Sequence, residues 1–394
     1  MNPIYLDNAA TTKIDKEVVK TMQPYLEEFY GNPSSVHVKG QETKLAIEKA
    51  RKTIADSINA NSEEIFFTSG GSESNNWALK GLFFEYSPKK NHLITTKIEH
   101  DSIINPCKWI EKKGGKITYL DVDKEGFINL KKLKKSLTPK TFLISIMHAN
   151  NEIGTIQNLD EIGKIAKEKG ILFHSDAAQS YTKIPIDTKK IKIDLMTINS
   201  HKIYGPKGVG ALYIKEGTKI NPLIHGGGHE RKKRSGTENV AGIVGFSKAV
   251  EISKKFDYKK ISRLRNRLME GILNSIPNTK LNGPRENRLP NNVNISFKNC
   301  EGEALGAYLE NKGIYVSTGS ACMSNTDAES HVLKAIGLNP KEQDSTIRFT
   351  LGKDTTEKDI NYVLKILPEI VEKMRKIGGL KWINKKNPLK KKKN

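Results

Sequence analysis

Two stretches decide the fold: GILFHSDAAQS, residues 170–180, and DLMTINSHKIYGPKGVGALY, residues 194–213. In the first, a strand-length apolar run stops at Asp176. In the second, another run stops just before Lys202. A strand ending on a carboxylate, a crossover, and a strand ending on a lysine put both side chains at one edge of an α/β sheet. That edge is where such sheets bind ligands. Each residue also has an ordinary reading, Asp176 as the N-cap of the next helix and Lys202 as a solvated loop lysine.

The same alternation extends in both directions. EIFFT (64–68), HLITT (92–96), KITYL (116–120), TFLISIM (141–147) and GALYI (210–214) read as further strands. Amphipathic stretches lie between them; in NLDEIGKIAKEKG (158–170), Leu159, Ile162, Ile165 and Ala166 recur at helical spacing and Gly170 supplies a C-cap. Repeated strand–helix–strand units predict a large, mostly parallel α/β sheet domain. After residue 255 the texture changes: helix (258–276), strand (291–297), helix (302–313), strand (345–351) and a closing helix (356–377) predict a smaller α/β domain. The expected organisation is a large domain over 15–255, a small domain from 1–14 and 256–380, and a basic, disordered tail over 381–394.

The chain has 394 residues and a formal net charge of +22. That length exceeds one typical core. Part of the excess charge sits in KWINKKNPLKKKKN (381–394), with seven lysines and no acid. Such a charge fits either solvated lysine faces or a nucleic-acid partner. Cys107, Cys300 and Cys322 form neither a CxxC pair nor a metal-ligand cluster, which fits a reducing compartment. MNPIYLDNAATT lacks the features of a signal peptide, and no apolar run approaches a membrane span. The expected location is the cytoplasm.

Chemistry gathers at several strand ends. FFTSGGSESNNWALKG (66–81) runs from a strand through two glycines into a helix. Helix-start amides with the hydroxyls of Ser69 and Ser72 suit a phosphate, although the loop matches neither the Walker pattern nor GxGxxG, and an ordinary turn looks the same. Lys202, flanked by Ser200 and His201, is placed to be shielded and to form a Schiff base. A lysine for an aldehyde, a carboxylate for a ring nitrogen and a hydroxyl-rich loop for a phosphate are the parts a pyridoxal phosphate enzyme needs. In KIEHDSIINP (97–106), His100 can stack on such a ring and exchange protons; in HANNEIGTIQ (148–157), Asn151 can contact its oxygen. Both also read as capped turns. Arg348 in STIRFTLG (345–352) suits a substrate carboxylate or a structural ion pair. VSTGSACMS (316–324) sets Cys322 among small residues, as core thiol, ligand, spacer or nucleophile.

With these residues assembled, the sequence resembles the PLP-dependent cysteine desulfurases of the class V aminotransferase family, in the NifS/IscS-like group. The resemblance runs from YLDNAATT (5–12) and GNPSS (31–35) through FTSGGSESNN, HSDAAQS, SHKIYGPKGVGALY, GGGHERKKRSGTENV (226–240) and STGSAC to the final helix; the tail lies outside it. It implies the PLP-dependent transferase fold (fold type I). It also implies the roles. Lys202 binds the cofactor aldehyde, Asp176 pairs with the pyridine nitrogen, Gln179 contacts the ring hydroxyl and His100 stacks on the ring. Gly71, Ser72, Ser200 and His201 hold the phosphate, and Thr237 reaches the phosphate of a neighbouring subunit, implying a homodimer. Asn151 and Arg348 hold the carboxylate of L-cysteine. Cys322 takes the sulfur as a persulfide and passes it to an acceptor protein, such as an iron–sulfur scaffold or a tRNA-thiolating enzyme. No resident metal is expected; transient ligation of a cluster by Cys322 is left open. Departures are small: Gly71-Ser72 replaces a frequent alanine-threonine, and STGSAC a common SSGSAC. The spacing from Cys322 to HVLKAIG (331–337) is that of the NifS/IscS-like group. The competing readings are a selenocysteine lyase, an aminotransferase, which needs no catalytic thiol, and a nucleic-acid-binding protein on the same fold.

Overall fold

The computed structural model describes residues 3–318 and 329–386, with side chains described as far as Lys376. Cys322 and residues 387–394 lie outside the described residues. Two compact units divide the chain. One comprises Ala9–Asn151 and Thr155–Phe256, the other Met1–Asn8, Glu152–Gly154 and Asp257–Asn394.

The strands follow in chain order: β1 (Ile4–Tyr5), β2 (Ile65–Thr68), β3 (His92–Thr96), β4 (Lys116–Leu120), β5 (Thr141–Ser145), β6 (Leu172–Asp176), β7 (Leu195–Asn199) and β8 (Gly210–Ile214). After these come β9 (Thr279–Leu281), β10 (Asn292–Phe297), β11 (Ile314–Tyr315), β12 (Ser317–Thr318) and β13 (Thr346–Thr350). In the larger unit seven strands form one sheet in the order β2-β8-β7-β6-β5-β3-β4. Pairing is parallel from β7 to β4, and β8 is antiparallel to both its neighbours. The exception has a local cause: no crossover helix separates β7 from β8, and a short return can only be antiparallel.

Both faces of the sheet are covered, which explains why its central strands read as continuous apolar runs. Alternate residues point opposite ways. Phe67, Ile94, Ile144, Phe173, Met196 and Ala211 join a core with the helices Val38–Ser57, Leu159–Glu168 and Val240–Ser253. Phe66, Leu93, Leu143, Leu195 and Leu212 join a second core with Trp77, Leu82 and the helix Asp101–Lys112. Because β3, β5, β6 and β7 are parallel, and β2 runs with them, their C-terminal ends share one edge of the sheet. Ser69–Ser72, Glu99–His100, the turn at Asn151, Asp176 and Lys202 all follow those ends.

The smaller unit carries an antiparallel sheet in the order β12-β13-β10-β9, and a separate parallel pair β1-β11. Leu268, Ile272, Val293, Ile295, Ile347, Phe349, Val363 and Leu367 form its core with the helices Tyr258–Ser275 and Glu357–Lys386. Its boundaries differ from those expected. Ala9–Ile14 groups with the larger unit, because Thr12 donates through N (2.9 Å) and Oγ1 (2.8 Å) to His201 O. Glu152 groups with the smaller, its carbonyl accepting from Asn292 Nδ2 at 3.0 Å and Asn294 Nδ2 at 3.1 Å. The last helix continues through Lys386, into the stretch read as a disordered tail. Lysine is a good helix former, and the first proline beyond Lys381 is Pro388. Among the described residues no helix is long and apolar enough to cross a membrane.

Thr182 and Tyr204, near the site, both have positive φ, +61° and +69°. Thr182 follows β6, and its buried Oγ1 has no hydrogen-bond partner. A β-branched residue in the left-handed region costs roughly 1–3 kcal/mol. Glycine there loses about 0.5–1 kcal/mol more backbone entropy on folding. The first effect is the larger, so Thr182→Gly is expected to stabilise the chain by about 1 kcal/mol. Denaturant unfolding measures this; a lower midpoint for the variant would mean that the threonine makes a native interaction stronger than its strain.

Candidate functional site

The edge formed by the parallel strand ends holds a cavity of about 200 Å³ lined by Ala10, Gly71, Ser72, His100, Ser102, Met147, Ala149, Asn151, Asp176, Ala178, Gln179, Asn199, His201 and Lys202. Eight residues singled out from sequence are therefore together: Gly71, Ser72, His100, Asn151, Asp176, Gln179, His201 and Lys202. Ser200 lies fully buried one residue before His201. Thr237 is exposed and lines a different recess, with Ser69. Arg348 belongs to the smaller unit, and Cys322 lies outside the described residues.

Asp176 is 7% exposed. Its Oδ1 accepts from Ala178 N at 2.8 Å and its Oδ2 from Asn75 Nδ2 at 2.7 Å. Both oxygens of this buried carboxylate are thus engaged by N–H donors. Asn75 Nδ2 also donates to Ser102 Oγ (2.8 Å), which is 2.8 Å from His100 Nδ1; the same Nδ1 accepts from Ser102 N at 3.1 Å. The phosphate-like loop begins at Gly70, φ +151°, without a side-chain cap on the helix that starts at Gly71. Its opening amides are left to whatever occupies the cavity.

The turn after β7 is held from the N-terminal segment. His201 Nδ1 is 3.1 Å from Thr11 Oγ1, and Thr12 Oγ1 accepts from Tyr204 N at 2.8 Å. Gln179 donates through Nε2 to Ala9 O at 2.9 Å, and its backbone carbonyl accepts from Lys183 Nζ at 2.8 Å. Ser200 Oγ is buried with no hydrogen-bond partner. A Cβ at residue 205 would lie 2.0 Å from that oxygen, so Gly205 is required for the turn to close over it.

Two ion pairs fix the segment 226–240. Arg51 makes paired 2.8 Å bonds to Glu230, whose Oε2 also accepts from Phe67 N at 2.7 Å. Arg234 bonds Glu73 at 2.8 and 3.0 Å, and Glu73 accepts from Ser69 N at 2.8 Å. Thr237 is thereby presented beside Ser69. In the smaller unit, Arg348 lies in mid-strand opposite Asn294 and donates through Nη2 to Asp7 Oδ1 at 2.9 Å.

Several groups around the cavity titrate unusually. Burial pushes His201 down to about 4, helped by Lys202, Lys207 and Lys183, so it is neutral near pH 7. Burial and then the charge of Lys202 bring Lys183 down to about 7. Glu99 is buried beneath the site. Desolvation raises its acid to about 8, against hydrogen bonds from Met147 N (2.9 Å) and Thr96 Oγ1 (2.8 Å).

Pyridoxal phosphate fits these residues on three observations. A buried carboxylate suits a protonated ring nitrogen, uncapped amides with an unpartnered Ser200 hydroxyl suit a phosphate, and Lys202 on the cavity wall suits an aldehyde. Asn75, Ser102, Lys183, Thr11 and Thr12 were missed from sequence. The first two stand inside motifs read for other residues, and the threonines inside YLDNAATT, so only the contacts reveal them.

Residues 4–363 match the aminotransferase class-V family, and the chain belongs to it. It is 52% identical over 390 residues to the cysteine desulfurase IscS of Dictyoglomus turgidum, covering 98% of this chain and 99% of that relative. Among solved structures, a NifS-like protein superposes with TM-score 0.88 at 41% identity, over 94% of this chain and 99% of that one. SspA in complex with cysteine superposes with TM-score 0.81 at 38% identity, over 90% and 100%. The fold is that of the class V aminotransferases, PLP fold type I, and the cofactor is pyridoxal 5′-phosphate.

The Glu99 acid carries a pH signature. Its folded value lies above the ordinary 4.5, so between about 4.5 and about 8 the native state binds more protons than the unfolded chain. Stability then falls as pH rises through that window. Glu99→Gln removes this dependence. The variant should match the parent near pH 5 and melt later near pH 9; equal melting temperatures at both would contradict a buried, neutral Glu99.

Proposed function

We infer that this chain is a PLP-dependent cysteine desulfurase, converting L-cysteine to L-alanine and holding the released sulfur as a persulfide on Cys322. The observation that carries the reading is the convergence of Lys202, Asp176 and the uncapped glycine loop on one cavity. The full-length likeness to cysteine desulfurases supports the substrate. The bound pyridoxal phosphate supplies an electron sink for the Cα–H bond of the amino acid.

The chain supplies the rest. Lys202 Nζ anchors the aldehyde carbon and then takes the Cα proton. Asp176, held by Asn75 and Ala178, pairs with the ring nitrogen and favours its protonated form. Gln179 contacts the ring hydroxyl, and Gly71, Ser72, Ser200 and His201 hold the phosphate. His201, being neutral, does so as a hydrogen-bond partner and not as a cation. His100 packs on the ring. Asn151 and Arg348 bind the substrate carboxylate; Asp7, paired to Arg348, aligns its guanidinium. Cys322, as thiolate, attacks the substrate sulfur. The S–S bond forms as the Cβ–Sγ bond breaks, its electron pair stays with the carbon skeleton, and protonation releases alanine. An acceptor thiol then removes the sulfur toward iron–sulfur cluster assembly or tRNA thiolation. Thr237, exposed and away from the cavity of its own subunit, serves the phosphate of a second copy in a homodimer.

Purified protein given L-cysteine and a reductant should yield sulfide and alanine in equal amounts. Cys322→Ala should retain bound cofactor, seen in its visible spectrum, and lose sulfide production by at least ~100-fold, as loss of a nucleophile does. Persulfide formation on that variant would remove Cys322 from the mechanism. Retained cofactor without cysteine-dependent sulfide in the parent would move the substrate assignment elsewhere.

A further inference from the structure

The chain Asp176–Asn75–Ser102–His100 has a direction that hydrogen-bond accounting fixes. Asn75 is fully buried, and its Nδ2 meets both Asp176 Oδ2 at 2.7 Å and Ser102 Oγ at 2.8 Å. The opposite amide orientation would set Oδ1 against a carboxylate oxygen, two acceptors in contact. The observed orientation holds even though it leaves Asn75 Oδ1 buried without a partner. Ser102 Oγ, receiving an N–H from Asn75, directs its own hydrogen to His100 Nδ1 at 2.8 Å, and Ser102 N–H converges on the same nitrogen at 3.1 Å. Two donors aimed at Nδ1 exclude a proton there.

We propose that Asn75 and Ser102 are positioning residues that hold His100 as the neutral tautomer with its proton on Nε2 and couple that ring to the Asp176 carboxylate. The consequence rests on the reading of His100 as the residue packed on the cofactor ring. Nδ1 is closed to catalysis, and any proton His100 exchanges passes through Nε2. One asparagine thus orients both the acid that would pair with the ring nitrogen and, through Ser102, the imidazole of His100.

The test uses holoenzyme labelled with ring ¹⁵N-histidine, the His100 signals being identified by their loss in His100→Gln. The parent should show a pyridine-type Nδ1 and a pyrrole-type Nε2–H. Ser102→Ala and Asn75→Leu each weaken the donors on Nδ1 and should raise the pH at which the ring gains its second proton by about one pH unit, a tenfold change in proton affinity. Ser102→Thr, which keeps the hydroxyl, should restore the parent value. Asp176, His201 and Lys202 on the cavity wall, and Glu99 and Asp101 beside the ring in the chain, keep their surroundings in Ser102→Ala and Ser102→Thr, whereas Asn75→Leu also removes a donor from Asp176 Oδ2. Glu73, on the helix of Asn75, stays engaged by Arg234. A proton on Nδ1 in the parent would overturn the proposal. So would an unchanged titration in Ser102→Ala, which alone decides the matter if Asn75→Leu does not fold. A purely structural role would shift melting temperatures and leave the tautomer alone. The spectrum does not require turnover, so it stands whether or not the chain desulfurates cysteine.

Discussion

A carboxylate that must find hydrogen-bond donors at the end of a buried central strand is the constraint on which the larger unit depends. Asp176 ends β6 between β5 and β7, where water is scarce and an uncompensated charge would be expensive. The fold brings one donor from the following turn, Ala178 N, and one from a different strand end, Asn75. The second requires the segment after β2 to turn into a helix at once, which Gly70 permits through its positive φ. The same helix start leaves free amides at Gly71 and Ser72. The donor to Asp176 and the uncapped helix start beside the cavity are thus consequences of one loop.

The positive side of the cavity is arranged by opposition. Lys183 is buried, and burial and then the nearby charge of Lys202 bring it down to about 7. His201 is kept neutral by the same neighbourhood. The N-terminal segment locks this turn in place through Thr11 and Thr12, which explains why Ala9–Ile14 travels with the larger unit.

Much of this was legible in the chain. The strands of the large sheet announce themselves because both faces are buried and their residues are apolar without interruption. Asp176 and Lys202 stand at strand ends that parallel pairing must bring to one edge. What sequence withheld has a common physical character. Asn75 reaches Asp176 across 101 positions through one hydrogen bond, and Arg51 reaches Glu230 across 179. Such pairings leave no periodicity. Lys183 looked like any other lysine in a lysine-rich chain, since burial and not residue type sets its behaviour. The reach of the last helix to Lys386 was missed because composition suggested a solvated tail, whereas lysine alone does not end a helix.

In the proposed reaction the proton chemistry of Lys202 and Asp176 and the sulfur chemistry of Cys322 are separable steps. The most direct measurement is exchange of the Cα hydrogen of L-cysteine with D₂O, followed by NMR in the parent, Lys202→Ala and Cys322→Ala proteins. The account predicts exchange in Cys322→Ala without sulfide release, and none above background in Lys202→Ala. Exchange in Lys202→Ala at the rate of the parent would contradict it.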